Sequence, residues 1–133
     1  MRVVVDTNVF VSATLSPAGI PAQILDLILS RRVTLLMTPA ILDEYTEVMK
    51  RKEFSFNVET VDTFLRKISL YAEKVNTASH SIVLPDPDDL PFLECALAGK
   101  ADFLITGNKK HFPAVPCHPI KPVSSSEFLQ KIS

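Results

Sequence analysis

The chain has 133 residues, 47% of them hydrophobic and 22% charged, with 14 Lys+Arg against 15 Asp+Glu and a net charge of -1. This length fits one domain, residues 1–133, and so apolar a composition excludes a disordered chain. The near-zero charge excludes a protein that coats nucleic acid by bulk positive charge, but not one with a localised nucleic-acid site.

No stretch reaches the roughly 18 apolar residues of a membrane span, so no membrane association is expected. Asp6 interrupts the N-terminal apolar run too early for a signal peptide. Cys95 and Cys117 make no disulfide framework and read as reduced thiols of a cytoplasmic protein.

Val3, Val4 and Val5 form an unbroken β-branched run, which suits a strand buried on both faces of a parallel sheet. The run ends at Asp6, Thr7 and Asn8. Pro21 fits the first turn of a helix whose apolar face is Ile24, Leu25, Ile28 and Leu29, with Arg31 and Arg32 at its end. Residues 33–37 form a second apolar run of strand length. Thr38 as N-cap and Pro39 at the first helical position then open a helix with Ile41, Leu42, Tyr45, Val48 and Met49 on one stripe.

Residues 50–57 read as a connection. The spacing of Val58, Val61, Phe64, Leu65, Ile68, Ala72 and Val75 predicts a longer amphipathic helix. Residues 77–87 read as loop, with His80 in it and a short strand at residues 81–84. Asp88 or Asp89 caps a helix carrying Phe92, Leu93, Ala96 and Leu97, which stops at Gly99. Residues 103–106 are a further buried-type strand, ending at Gly107 and Asn108. The Pro-rich stretch after Phe112 is irregular, with a last strand near residues 120–123. Ser124 and Glu127 have capping-box spacing for a final helix. The alternation gives an α/β fold with a mostly parallel sheet of about five strands.

In open α/β sheets, ligands bind beyond the carboxyl ends of the strands. The polar clusters at Asp6–Asn8 and Thr106–Asn108 share that edge if their strands are parallel neighbours. Glu44 falls on the border of its helix's apolar stripe, where a carboxylate can lean toward the same edge; it reads equally well as a surface acid flanking the core. Asp86, Asp88, Asp89 and Glu94 lie within nine residues. Helix capping accounts for one or two of them. Acidic clusters that face each other need a cation between them, and hard oxygen ligands suit Mg²⁺ or Mn²⁺. His111, Cys117 and His118 are close in sequence but lack zinc-type spacing, so no metal site is expected among those three. Phe54 and Phe56 read as buried under neighbouring helices, or as an apolar patch for a partner.

The strand Val3–Val5 with Asp6, Thr7, Asn8, Val9 and Phe10 resembles a PIN domain. So do Thr38–Pro39 with Glu44 and Tyr45, Asp86–Pro87–Asp88–Asp89 leading to Phe92–Ala96, and Leu104–Ile105–Thr106–Gly107–Asn108. The ordered set is similar above all to the toxin components of prokaryotic toxin–antitoxin systems. The resemblance implies a three-layer α/β/α fold and a metal-dependent endoribonuclease that cuts RNA phosphodiesters, leaving a 5′-phosphate. It implies Asp6, Glu44 and Asp89 as catalytic metal ligands for Mg²⁺ or Mn²⁺, with Asp88 as the neighbour that could replace Asp89. It also implies an antitoxin partner and a homodimer. Where the family usually has a further acid, this chain has Asn108, which brings no charge.

Asn8, Ser12, Thr106 and Asn108 are expected to position ligands or substrate. Lys109 and Lys110 are expected to hold RNA phosphates, and residues 50–52 are a weaker basic candidate. A haloacid-type phosphatase would want a second Asp at position 8, which is Asn. A receiver domain does not match the spacing of Asp6, Glu44 and Asp89. The remaining alternative is a degenerate PIN domain that binds RNA or protein without cutting, and Asn108 is the feature that favours it.

Overall fold

β1 (Arg2–Val5) is the central strand of a five-stranded sheet, and its three valines are completely buried. A strand covered on both faces has no use for polar alternation, hence the unbroken β-branched run. The computed structural model describes residues 1–77 and 82–133. β2 (Thr34–Met37) pairs with one side of β1, and β4 (Phe103–Ile105) with the other. β3 (Glu73–Lys74) flanks β2, and β5 (Lys121–Val123) flanks β4. All pairings are parallel and the order is β3-β2-β1-β4-β5.

The sheet is sandwiched between helices. α5 (Leu90–Ala98) lies across β1, β2 and β4. α2 (Ile20–Leu29) packs on α1 (Thr7–Leu15), α4 (Val58–Tyr71) and α7 (Ser125–Ile132). With α3 (Pro39–Met49) these cover the opposite face, as right-handed crossovers require. α6 (Ala114–Cys117) is a single turn beside β5. The sheet and helices give the expected three-layer α/β/α arrangement.

Several local expectations hold. Thr38 Oγ1 accepts the Ile41 N–H at 3.2 Å, with Pro39 at the first helical position, and α3 therefore starts where the sequence places it. Ser124 and Glu127 form a complete capping box. Phe54 and Phe56 stack on each other at 5.5 Å, half-buried against the core.

Other expectations are corrected. α1 begins directly after Asp6, where no helix was expected. Its buried residues, Thr7, Val9, Phe10, Val11 and Ala13, run almost consecutively and include a polar one, so no apolar stripe marks them for periodicity to detect. The long helix stops at Tyr71 rather than running on to Val75, because Glu73 and Lys74 pair with Leu36 and Met37 as the edge strand. Val75 N–H continues that contact by donating to Met37 O at 2.8 Å. The strand expected at residues 81–84 is absent over residues 82–84; Ser81 and His80 lie outside the described residues. Among the described residues no single helix is long and apolar enough to cross a membrane.

Tyr45 ties α3 to the end of β1. Its ring meets Phe10 edge-on at 5.1 Å, and its buried hydroxyl donates to Val5 O at 2.5 Å. Glu44 is thereby held one residue away from an anchored position, beside the carboxyl end of the central strand.

Candidate metal centre

β1 and β4 are parallel neighbours with Val5 opposite Ile105, so the residues that follow them, Asp6 and Thr106, meet at one edge. Asp6 is 6% exposed. Thr106 Oγ1 donates to Asp6 Oδ2 at 2.8 Å and accepts the Asn108 N–H at 3.0 Å. Burial pushes the Asp6 carboxyl above the usual carboxylate range, and the Thr106 hydroxyl bond only partly opposes that rise.

Glu44 is half-buried on α3, and the Thr7 hydroxyl donates to its Oε2. Thr7 directly follows Asp6, so this bond draws Glu44 to the same edge. Asp43 and Glu47, on the other side of the helix, are exposed.

Asp89 closes a 3₁₀ turn (Pro87–Asp89) and stands at the start of α5, where its side chain caps nothing. Its residue exposure is 9%, and Oδ2 has no hydrogen bond of sound geometry. The ion-pair partner of that oxygen is His111 Nδ1, at 2.9 Å. Burial first, and then the negative charge of Asp6, push the Asp89 carboxyl up to about 6. Asp88 is exposed; its backbone N–H donates to Asp86 Oδ1 at 3.0 Å.

Asp89, buried beside the charge of Asp6 and with one oxygen lacking a hydrogen bond, fits a divalent cation at this edge. The donors are mainly carboxylate oxygens, the set for a hard ion.

The other expected residues lie around this edge. Asn8 and Ser12 are exposed on α1. Asn108 is exposed and its Oδ1 accepts the Lys110 N–H at 3.2 Å, which makes it the cap of a 3₁₀ turn (Lys109–His111). Lys109 Nζ is 2.9 Å from Glu127 Oε1 on α7, and Lys110 is exposed. The Lys50 ammonium pairs with Asp62 at 2.8 Å.

His111 is the residue that sequence reasoning missed. Weighed only against Cys117 and His118, it shows no metal spacing. Its position three residues beyond the end-of-strand Asn108 was the available signal, because that turn hangs over the same edge. Asp86, Asp89 and His111 offer ligand atoms all within 4.8 Å of one another. Among the described residues neither Cys117 nor His118 joins that group.

Comparison with known proteins bears on the family and the fold. An uncharacterized protein of Methanocaldococcus jannaschii is 35% identical over 112 residues, which is 82% of this chain and 72% of the relative. The fold is similar to a chain in the crystal structure of VapBC2 from Rickettsia felis bound to a DNA fragment from their promoter. That likeness has a TM-score of 0.66 at 19% identity and covers 93% of this chain and 98% of the other. The PIN domain family model matches residues 2–110, a span that runs from β1 to the turn carrying Lys109 and Lys110, and the chain belongs to that family.

Proposed function

We propose that the protein is a Mg²⁺- or Mn²⁺-dependent endoribonuclease of the PIN type, the cytoplasmic toxin of a toxin–antitoxin pair. The observation that carries this reading is the opposition of Asp6 and Asp89. Both are buried at the carboxyl edge of the sheet, and Asp89 is pushed up to about 6 partly by the charge of Asp6. PIN domains are in general nucleases. The likeness to a VapBC2 chain supports an antitoxin partner, as VapBC2 is a toxin–antitoxin complex.

Asp6, Glu44 and Asp89 would hold the cation. Asp89 is preferred to Asp88 because it is the buried one of the two. When bound, the cation activates water and neutralises charge on the phosphate oxygens. The protein's own residues do the rest. Thr106 fixes the Asp6 carboxylate, and Thr7 fixes Glu44. Asn8, Ser12 and Asn108 line the approach, where exposed amides and a hydroxyl can position RNA. Lys110, together with Lys109 once released from Glu127, would bind phosphates. Two copies would form a homodimer.

The test is cleavage of labelled RNA by purified protein with Mn²⁺, Mg²⁺ or EDTA. Cleavage is expected with either ion and not with EDTA. It should vanish in Asp6→Asn and Asp89→Asn, with circular dichroism unchanged. Cleavage retained in both folded variants would sink the assignment. RNA binding without cleavage in wild type would instead select the binding-module reading that Asn108 favours.

A further inference from the structure

The edge also holds a nitrogen donor that the set Asp6, Glu44 and Asp89 does not use. His111 comes from the turn after β4, whereas Asp86 and Asp89 come from the turn before α5. The fold brings these separate segments together so that His111 Nδ1 is 2.9 Å from Asp89 Oδ2. An independent observation points to a ligand: Asp89 is 9% exposed, and that same oxygen has no hydrogen bond of sound geometry. A buried carboxylate oxygen left in this way is costly until a cation or a well-aimed donor completes it. Asn108 adds no charge, and its side-chain oxygen is already engaged by the Lys110 N–H.

We infer that Asp86, Asp89 and His111 form a mixed oxygen–nitrogen cation site that extends the acidic centre and favours a first-row transition ion such as Mn²⁺ over Mg²⁺. The inference rests on the metal-dependent reading above. Mg²⁺ takes oxygen ligands, keeps several waters and dehydrates reluctantly; imidazole nitrogen suits the transition ions. Two adjacent ligands of an octahedral ion, each about 2.1 Å from it, are about 3 Å apart. The observed 2.9 Å between Nδ1 and Oδ2 is close to that bite. A cation bound here would be held by Asp89 Oδ2 and His111 Nδ1, with Asp86 as the third donor.

The test uses full-length, tag-free protein. Pulsed electron paramagnetic resonance of the Mn²⁺-loaded wild type should show coupling to a directly bound nitrogen, and His111→Gln should lose it. By calorimetry, Mn²⁺ should bind wild type at least about tenfold more tightly than Mg²⁺, and His111→Gln should bring the two ions within about threefold. Circular dichroism checks that the variant folds, and the wild-type spectrum needs no variant. Mn²⁺ bound without nitrogen coupling, or equal loss of both ions in His111→Gln, overturns the site while leaving RNA cleavage untouched. Nitrogen-coupled Mn²⁺ in a protein that cuts no RNA upholds the site and removes the nuclease reading. No Mn²⁺ binding at all overturns both.

Discussion

Thr106 Oγ1 donates to Asp6 Oδ2 at 2.8 Å, joining the ends of two adjacent strands that are one hundred residues apart in sequence. The same oxygen accepts the Asn108 N–H, so one buried hydroxyl orients a carboxylate and shapes the turn that carries Lys109, Lys110 and His111. Thr106→Val keeps the shape and removes one hydrogen bond from the Asp6 carboxyl and one from the Asn108 N–H. The expected cost is about 1–3 kcal/mol. It is read as a lower urea midpoint at constant slope; an unchanged midpoint would show that the bond contributes nothing net.

Stability in the absence of metal should depend on pH through Asp89. Its folded pKa of about 6 lies above the ordinary 3.8, so the folded protein binds that proton more tightly than the unfolded chain. The associated stability is complete below about pH 4 and is lost as pH rises through about 6. Asp6 shifts in the same direction. Thermal unfolding in EDTA should therefore show wild type losing stability relative to Asp89→Asn across that window. Parallel curves for the two proteins would contradict the shift.

A cation that binds only the folded form should reverse this loss. At a free Mn²⁺ concentration 100 times the dissociation constant, the gain is about 2.7 kcal/mol. The melting temperature at neutral pH should rise with Mn²⁺ in wild type and stay fixed in Asp89→Asn, which removes the carboxylate common to both ligand sets.

Glu127 is held at about 2, first by the Lys109 hydrogen bond and then by the Ser124 N–H. That depressed value means Glu127 stays charged, and keeps Lys109 engaged, until the pH falls far below neutrality. Glu127→Gln retains a capping side chain for α7 and frees the ammonium. RNA binding, measured by fluorescence anisotropy, should tighten, and its salt dependence should steepen by about one unit of slope. Unaltered affinity and slope would take Lys109 out of the RNA-binding surface.

Gly99 ends α5 at a close approach. A Cβ there would lie 2.7 Å from Leu36 Cδ1 and 3.1 Å from both Cys95 O and Val75 Cγ2. Leu36 is completely buried and cannot swing away. Gly99→Ala should cost about 1–3 kcal/mol by overpacking. The site lies at the other ends of the strands, so metal affinity at a temperature where the variant is folded should not change. A melting temperature equal to wild type would mean that the core gives way at no cost.

Much of the site was readable because strand ends are punctuated. Asp6 and Thr106 each follow an unbroken apolar run, and parallel pairing then leaves them little choice but to meet. The angle from Tyr45 put Glu44 on the border of the α3 stripe, where a leaning carboxylate and a surface acid read equally well; the bond from the Thr7 hydroxyl was not legible in the sequence. What could not be read depends on tertiary context. The buried residues of α1 run almost consecutively and include Thr7, so no period marks it. β3 is a Glu-Lys pair that is a strand only because Leu36 and Met37 lie beside it. His111 has no ligand spacing to any neighbour in sequence; its partners are about twenty residues upstream, on a different turn.

The two margins of the sheet have a consequence for how copies of this chain can associate. On one side β3 is only two residues long, with charged side chains. On the other, β5 carries Pro122, which has no amide hydrogen to offer a further strand. Short, charged or proline-bearing margins resist edge-to-edge growth. Neither rim is a template for strand addition, so a homodimer of this protein would have to be joined through helical surfaces rather than through one sheet shared by two chains.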